Sequence, residues 1–379
     1  MIDRSGDKRK MRNIDKFRGC LAGGAVGDAL GYAVEFEPDR AIFKKYGENG
    51  ITDYELHDGI AQISDDTQMT MFTATGLLLG TTRGMLRGIA GPYESYIRHS
   101  YQDWYRTQTE RFPLPEDYHY SWLVNVPELF SRRAPGNTCL SALESREEAS
   151  IEHPINHSKG CGGVMRVAPI GLYFAGKLIP VEESDRIGVE AAAITHGHPL
   201  GWLPAAALVH IIRYLIEHEG DSILAAVLDA QSALPKTFSD AAHVEDMQQL
   251  LQRAIDLSAE NLDDLDAIRR IGKGWVGDEA LAISVYCALK HADSFEDAII
   301  AAVNHSGDSD STGAITGNIM GAALGLASIP QKFIDNLELK DVLMELADDL
   351  FNDCQMEEYS DYKDPIWEAK YVRMDYKRT

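Results

Sequence analysis

Asp308 and Asp310 stand one serine apart in "NHSGDSDSTGAITGNIMGAALG", at the entrance to a run of Gly, Ala, Ile and Met. Far upstream, "SDDT" (Ser64 to Thr67) repeats the design, with hydroxyl and carboxylate residues just before an apolar helix. Neighbouring carboxylates repel and resist leaving water unless a cation compensates them. A helix N-cap uses Ser, Asp or Thr and is stabilised by the helix dipole. A cap needs one acceptor, however, and each knot offers two carboxylates and a flanking hydroxyl. If the two helix starts meet, Asp65, Asp66, Asp308 and Asp310 converge with Ser64 and Ser311. That set is all oxygen and anionic, and it suits hard divalent cations. Two ions in such a site lie about 3.5–4 Å apart and share a bridging carboxylate or water. A third segment, "GDALGYAVEFEPDR", adds Glu35, with Glu37 and Asp39 expected in solvent.

The elements that must position these residues read as helices. "VEESDRIGVEAAAITHGHPLGWLPAAALVHIIRYLIEH" predicts two helices broken around Gly197 to Pro199. "GDEALAISVYCALKHA", "SFEDAIIAAVNHS" and "LKDVLMELADDLF" place apolar residues three and four apart. Strand-like alternation closed by turns is nearly absent, so the fold class is all-α, a compact multi-helix bundle. The closely spaced glycines of "CLAGGAVGDALGY" predict a helix that approaches another backbone. "QTERFPLPEDYHYSW" is the expected loop. The expected organisation is a basic N-terminal arm over 1–13, a domain over 14–352, and a tail over 353–379. The tail is rich in Tyr and Trp and is expected to pack on the domain.

Composition narrows the function classes. Of 379 residues, 45% are hydrophobic and 25% charged, as in soluble globular proteins. No uninterrupted apolar run of about 18 to 20 residues predicts a membrane span, and the charged start "MIDRSGDKRKMRN" gives no expectation of a secretory leader. Five scattered cysteines without a CxxC pair argue for a reducing cytoplasm and against a disulfide framework or a structural zinc site. A net charge of -23 disfavours nucleic-acid binding and suits a protein that handles cations.

Together these segments resemble the ADP-ribosylglycohydrolase family, which includes the dinitrogenase reductase-activating glycohydrolases. The resemblance runs through "GDALGYAVEF", "SDDT", "RRAPGNTCLSAL", "GCGGVMRVAPIGL", "THGHP", "GWVGDEALAISVY" and "GDSDSTGAITGNIMGA", in order, from about Phe17 to the helix after Ser311. It implies an all-α fold and a binuclear Mg²⁺ or Mn²⁺ site that removes ADP-ribose from a modified side chain. It also implies metal ligation by Ser64, Asp65, Asp66, Asp308, Asp310 and Ser311, and a mobile-loop glutamate at Glu35. Gly160, Cys161 and Gly162 match the glycine loop that faces diphosphate and ribose, and His196 matches a histidine near the ribose. Many relatives carry asparagine where Cys161 stands, and a thiol is the weaker hydrogen-bonding group.

The chemistry that follows is hydrolysis at an anomeric carbon through an oxocarbenium-like transition state. Glu35 or Asp66 is the expected proton acceptor. Arg166 is read either as a charge near the phosphates or as a structural partner of a buried acid. Trp275 is read either as a stacking surface for adenine or the modified side chain, or as a core residue. His196 and His198 raise a zinc alternative that lacks a third ligand, and His198 before Pro199 is read as a turn residue. Cys161 has no neighbouring base to make it a nucleophile. The expected activity is metal-dependent removal of ADP-ribose from modified proteins, above all from arginine. The alternative is an immunity or antidote protein whose arm, with Lys8-Arg9-Lys10, blocks an ADP-ribosyltransferase toxin. A phosphate-ester hydrolase or a DxD glycosyltransferase is a further reading, although the latter usually stands on an α/β scaffold.

Overall fold

The computed structural model of the chain describes residues 12–115 and 118–378. The basic run of the N-terminal arm therefore lies outside the described residues. The described chain contains seventeen α-helices, and its only β pairing is three isolated bridges. The predicted helices are present as Val181–Ala193, Pro199–Glu217, Gly277–Lys290, Phe295–Val303 and Lys340–Asn352. Helix Pro199–Glu217 is long and apolar enough to cross a membrane, but it lies buried within the bundle, where Leu203, Ala207, Leu208 and Ile211 are fully covered.

The central pair is Ile14–Tyr32 against Ser309–Leu324. Gly19, Gly23, Gly27 and Gly31 recur every fourth residue on the first helix, and Gly313, Gly317 and Gly321 do so on the second. That spacing lines each set along one helix face. The two faces meet backbone to backbone. A Cβ at Gly27 would lie 2.0 Å from the Gly313 carbonyl oxygen, and one at Gly317 would lie 1.9 Å from that of Gly23. Because Gly19 faces Gly321 and Gly31 faces Ser309, the helices run antiparallel. The end of the first helix, which leads into Glu35, therefore abuts the start of the second, which carries Asp308 and Asp310.

The SDDT helix, Asp65–Arg87, begins at the Ser64 N-cap and ends at Gly88, whose φ of 66° is left-handed as a helix-terminating glycine requires. The segment leading into it is pinned twice. Ala61 N–H donates to the Asn336 carbonyl at 2.8 Å, and Glu338 N–H returns a bond to the Ala61 carbonyl at 3.1 Å. The largely buried Arg133–Glu338 ion pair closes over it, with Arg133 Nη1 donating to the Ile63 carbonyl at 3.0 Å and Ile63 N–H donating to Glu338 Oε2 at 3.1 Å.

Residues of the C-terminal segment contact the bundle directly. Trp367 Nε1 donates to Thr82 Oγ1 at 2.9 Å, and the buried Lys370 ammonium bridges Glu345 and Asp349, each at 2.7 Å. At the other end, Arg12 donates to the Leu350 carbonyl at 2.8 Å and lies over the Phe17 ring.

Gly317→Val places three carbons where there is no room for one. It is expected to cost more than about 3 kcal/mol, above the usual range for overpacking because neither backbone can yield. Denaturant unfolding of the variant measures this, and a loss below about 1 kcal/mol would contradict the backbone contact.

Candidate active site

The carboxylate knots converge. Glu35, Asp65, Asp66, Asp308, Asp310 and Ser311 line one cavity of about 460 Å³, together with the Gly160–Cys161–Gly162 loop, His196 and Trp275. Carboxylate oxygens of Glu35, Asp308 and Asp310 lie within 4.8 Å of one another. At that separation carboxylates share a proton or are bridged by a cation.

Local geometry explains how each acid is held. Ser64 is fully buried and its hydroxyl accepts the Asp66 N–H at 3.2 Å, so it acts as the N-cap behind the two aspartates. Asp308 caps its own helix, accepting the Ser311 N–H at 3.4 Å, while its N–H donates to the Lys273 carbonyl at 2.9 Å. Asp310 accepts the same Ser311 N–H at 2.9 Å. Asp65 accepts the Gly136 N–H at 3.4 Å, which ties the Ala134–Gly136 loop to the knot.

One functional residue escaped the sequence reading. Asp28, fully buried on the first helix, accepts the Ser64 N–H at 3.0 Å on both carboxylate oxygens. It also accepts the Thr67 N–H at 3.1 Å and the Thr67 hydroxyl. It therefore clamps the turn that presents Asp65 and Asp66. An aspartate inside an otherwise small and apolar helix, "GGAVGDALG", is the signal that could have marked it.

Burial dominates the electrostatics. It raises Asp28 to about 6, where hydrogen bonds from Ser64 and Thr67 limit the rise. Burial raises Glu35 to about 9, helped by repulsion from Asp308 and Asp65. Asp65, Asp66 and Asp310 also rise well above the usual carboxylate range, first through burial and then through their acidic neighbours, and Asp308 rises with them through burial. No cationic side chain is among the leading causes for any of these groups. Two buried oxygens, Glu35 Oε2 and Asp66 Oδ2, have no hydrogen-bond partner among the described residues. Orphaned acceptors in a converging, all-oxygen, anionic set are what a pair of hard divalent cations fits.

The other expectations divide. The Cys161 thiol donates to Asp308 Oδ2 at 2.8 Å, a carboxylate neighbour that the sequence did not reveal, and burial, then the charge of Asp308, raises its pKa well above the usual thiol range. His196 is buried with its ring against Gly162, where a Cβ would lie 2.9 Å from Cε1, and Nδ1 is 2.8 Å from the Thr195 hydroxyl. Burial lowers it to about 3, so it faces the loop as a neutral imidazole. His198 caps helix Pro199–Glu217, its Nδ1 accepting the Leu200 N–H at 3.1 Å.

Arg166 is not at the phosphates. It is fully buried, donates to the Ala191 carbonyl at 3.0 Å and the Thr195 hydroxyl at 2.7 Å, and lies over the Tyr101 ring. Its partners are neutral oxygens, the sulfurs of Met69 and Cys139, and a π face rather than the expected acid. Trp275 is not core: it is 41% exposed and stacks on the exposed Phe36, with ring centroids 5.8 Å apart. Glu37 is exposed as expected, but Asp39 pairs with Arg269 at 2.7 Å at the start of a short helix.

A family model described as ADP-ribosylglycohydrolase matches residues 9–360. The chain is 27% identical to the ADP-ribosylarginine hydrolase Tri1 of Serratia proteamaculans, over 89% of this chain and 80% of that protein. It is 25% identical to the ADP-ribosyl-[dinitrogen reductase] glycohydrolase of Rhodospirillum rubrum, over 86% of this chain and 91% of that protein. A solved structure titled ADP-ribosylglycohydrolase-related protein complex superposes with a TM-score of 0.60 at 22% identity, covering 89% of this chain and 98% of that one.

Two expectations follow from this geometry. Asp28→Ala leaves the Ser64 and Thr67 donors buried without an acceptor, and should cost roughly 2–4 kcal/mol in denaturant unfolding. The raised carboxylates bind more protons folded than unfolded, so the cation-free fold loses stability as pH rises from the unfolded value near 4 through about 6 for Asp28 and about 9 for Glu35. Mg²⁺ or Mn²⁺ should therefore raise the melting temperature by several degrees near pH ~8 and by much less near pH ~5, where protons occupy the same oxygens. Equal increments at both pH values, by differential scanning fluorimetry, would contradict cation binding at the knots.

Proposed function

The chain belongs to the ADP-ribosylglycohydrolase family, and on that premise we propose that it removes ADP-ribose from the arginine side chains of modified proteins, using a pair of Mg²⁺ or Mn²⁺ ions. The observation that carries this reading is the convergence of Glu35, Asp65, Asp66, Asp308 and Asp310 in one cavity, with two buried oxygens orphaned.

Ser64, Asp65, Asp66, Asp308, Asp310 and Ser311 would hold the ions. When bound, the ions supply Lewis acidity toward the ribose hydroxyls and a source of nucleophilic water at neutral pH. The chain's own groups do the rest. Once positive charge in the site offsets the burial that keeps these carboxyls protonated, Glu35 Oε2 or Asp66 Oδ2 takes one proton from the attacking water as its oxygen bonds to the anomeric carbon. The carbon–nitrogen bond breaks, and the guanidine nitrogen leaves with its electron pair and takes up the proton that the carboxyl group returns. The buried carboxylates stabilise positive charge as it develops on the ribose.

The glycine loop brings backbone and the neutral His196 against the sugar side of the cavity. Asn137 and Thr138 also line a neighbouring groove of about 550 Å³, with Tyr105, Arg132, Asn156 and Ser158. This groove suits the ADP half, with Arg132 supplying charge toward phosphate. Phe36 and Trp275 also line the cavity and stack on one another, an aromatic surface that favours a guanidinium. The name of the Serratia protein, which specifies ADP-ribosylarginine, supports the arginine assignment, and that of the Rhodospirillum protein, which specifies ADP-ribosylated dinitrogen reductase, supports a modified protein as substrate.

The test is release of ADP-ribose from an ADP-ribosyl-arginine protein, with the ADP-ribosyl-serine conjugate alongside. Chelation should abolish release, and added Mg²⁺ or Mn²⁺ should restore it. Asp65→Asn and Asp308→Asn should each lower kcat/KM by roughly 10²- to 10³-fold, the scale of losing one electrostatic contact to the transition state. Activity that survives chelation undiminished would overturn the mechanism.

A further inference from the structure

Trp275 belongs to two cavities. Besides the candidate active site it lines a second groove of about 700 Å³, whose lining includes Asp39, Lys159, Arg269, Lys273 and Glu279. If the ADP half occupies the side reached through Asn137 and Thr138, whatever is attached to the anomeric carbon leaves past Phe36 and Trp275 into this second groove. Its charge is unlike that of the whole chain.

Of the two acids in the lining, Asp39 is neutralised by a partner, whereas Glu279 is held by backbone donors and keeps its charge. Glu279 Oε2 accepts the Lys273 N–H at 2.8 Å and the Gly274 N–H at 3.3 Å, while Asp39 pairs with Arg269 at 2.7 Å. Lys159 and Lys273 are exposed, and among the described residues neither ammonium forms an ion pair. Asp278 feels Lys159 through space without bonding to it. A chain of net charge -23 thus keeps two uncommitted ammonium groups at the exit of its site. Such cations attract anionic groups and repel cationic ones over about a Debye length of 8–10 Å.

We propose that this groove receives the polypeptide flanking the modified side chain and that Lys159 and Lys273 select acidic flanks. The inference rests on the hydrolase reading and adds a substrate preference to it. The two side chains are separable from the site they border. The Lys159 main-chain carbonyl accepts the Gly277 N–H at 2.8 Å, and that of Lys273 accepts the Asp308 N–H at 2.9 Å, so exchange of the side chains leaves both bonds in place.

The experiment compares three substrates in the presence of Mg²⁺: ADP-ribosyl-arginine in a peptide with Asp/Glu flanks, in one with Lys/Arg flanks, and as the free amino-acid conjugate used for normalisation. At low salt the wild-type protein should favour the acidic peptide by about fivefold or more in kcat/KM, as expected for two exposed charge pairs. The ratio should fall toward one at about 0.5 M NaCl, and Lys159→Glu/Lys273→Glu should reverse it. Equal kcat/KM for the two peptides at low salt, or a ratio unchanged in the double variant, would overturn the inference while leaving the hydrolase reading intact. No release even from the free conjugate would overturn both.

Discussion

The site depends on two helices whose glycine faces touch backbone to backbone. The Gly19–Gly31 stripe of Ile14–Tyr32 and the Gly313–Gly321 stripe of Ser309–Leu324 bring the backbones within a distance that excludes even a methyl group. Because the pair is antiparallel, the contact fixes the exit of one helix beside the entrance of the other, and so Glu35 beside Asp308 and Asp310. The same first helix carries Asp28, which grips the SDDT turn. One element thus sets the positions of acids drawn from three distant parts of the chain. Interiors packed at this density transmit a shift rather than absorb it, so the glycine contact controls the spacing of the carboxylates.

That spacing creates an electrostatic problem which packing alone does not relieve. Six acidic side chains, Asp28 included, are buried close together, and desolvation acts on each before their mutual repulsion is added. Asp28 is treated differently from the rest. Its oxygens are saturated by N–H and O–H donors, so it is a structural acceptor, whereas Glu35 and Asp66 retain an empty oxygen. Hydrogen bonding divides the acids into those that build the site and those that offer an unpaired oxygen to the cavity.

Much of this was legible in the sequence. SDDT and DSDS were readable because caps rarely need so many acids, and the helices followed from apolar spacing. The glycine stripe announced a backbone approach, although not which partner it met. Three features were hidden, each for a physical reason. Asp28 read as part of a glycine-rich packing segment, since a contact between residues 28 and 64 leaves no local trace. Arg166 sits beside the glycine loop in sequence, yet its guanidinium turns inward to Tyr101, Thr195 and the Ala191 carbonyl. Asp39 looked solvated because its partner Arg269 is 230 positions away. Trp275 was ambiguous because burial of an indole is decided by what covers it, and here Phe36 stacks on the ring while 41% of the residue stays exposed.

The exposure of that indole has an optical consequence. Four of the five tryptophans, Trp104, Trp122, Trp202 and Trp367, are buried to 7% exposure or less, while Trp275 is 41% exposed at the mouth of the cavity. A dissolved quencher such as iodide or acrylamide reaches the one indole that borders the cavity far more readily than the other four. Native emission therefore contains a separable component that reports on the cavity mouth, and occupancy can be followed without a label.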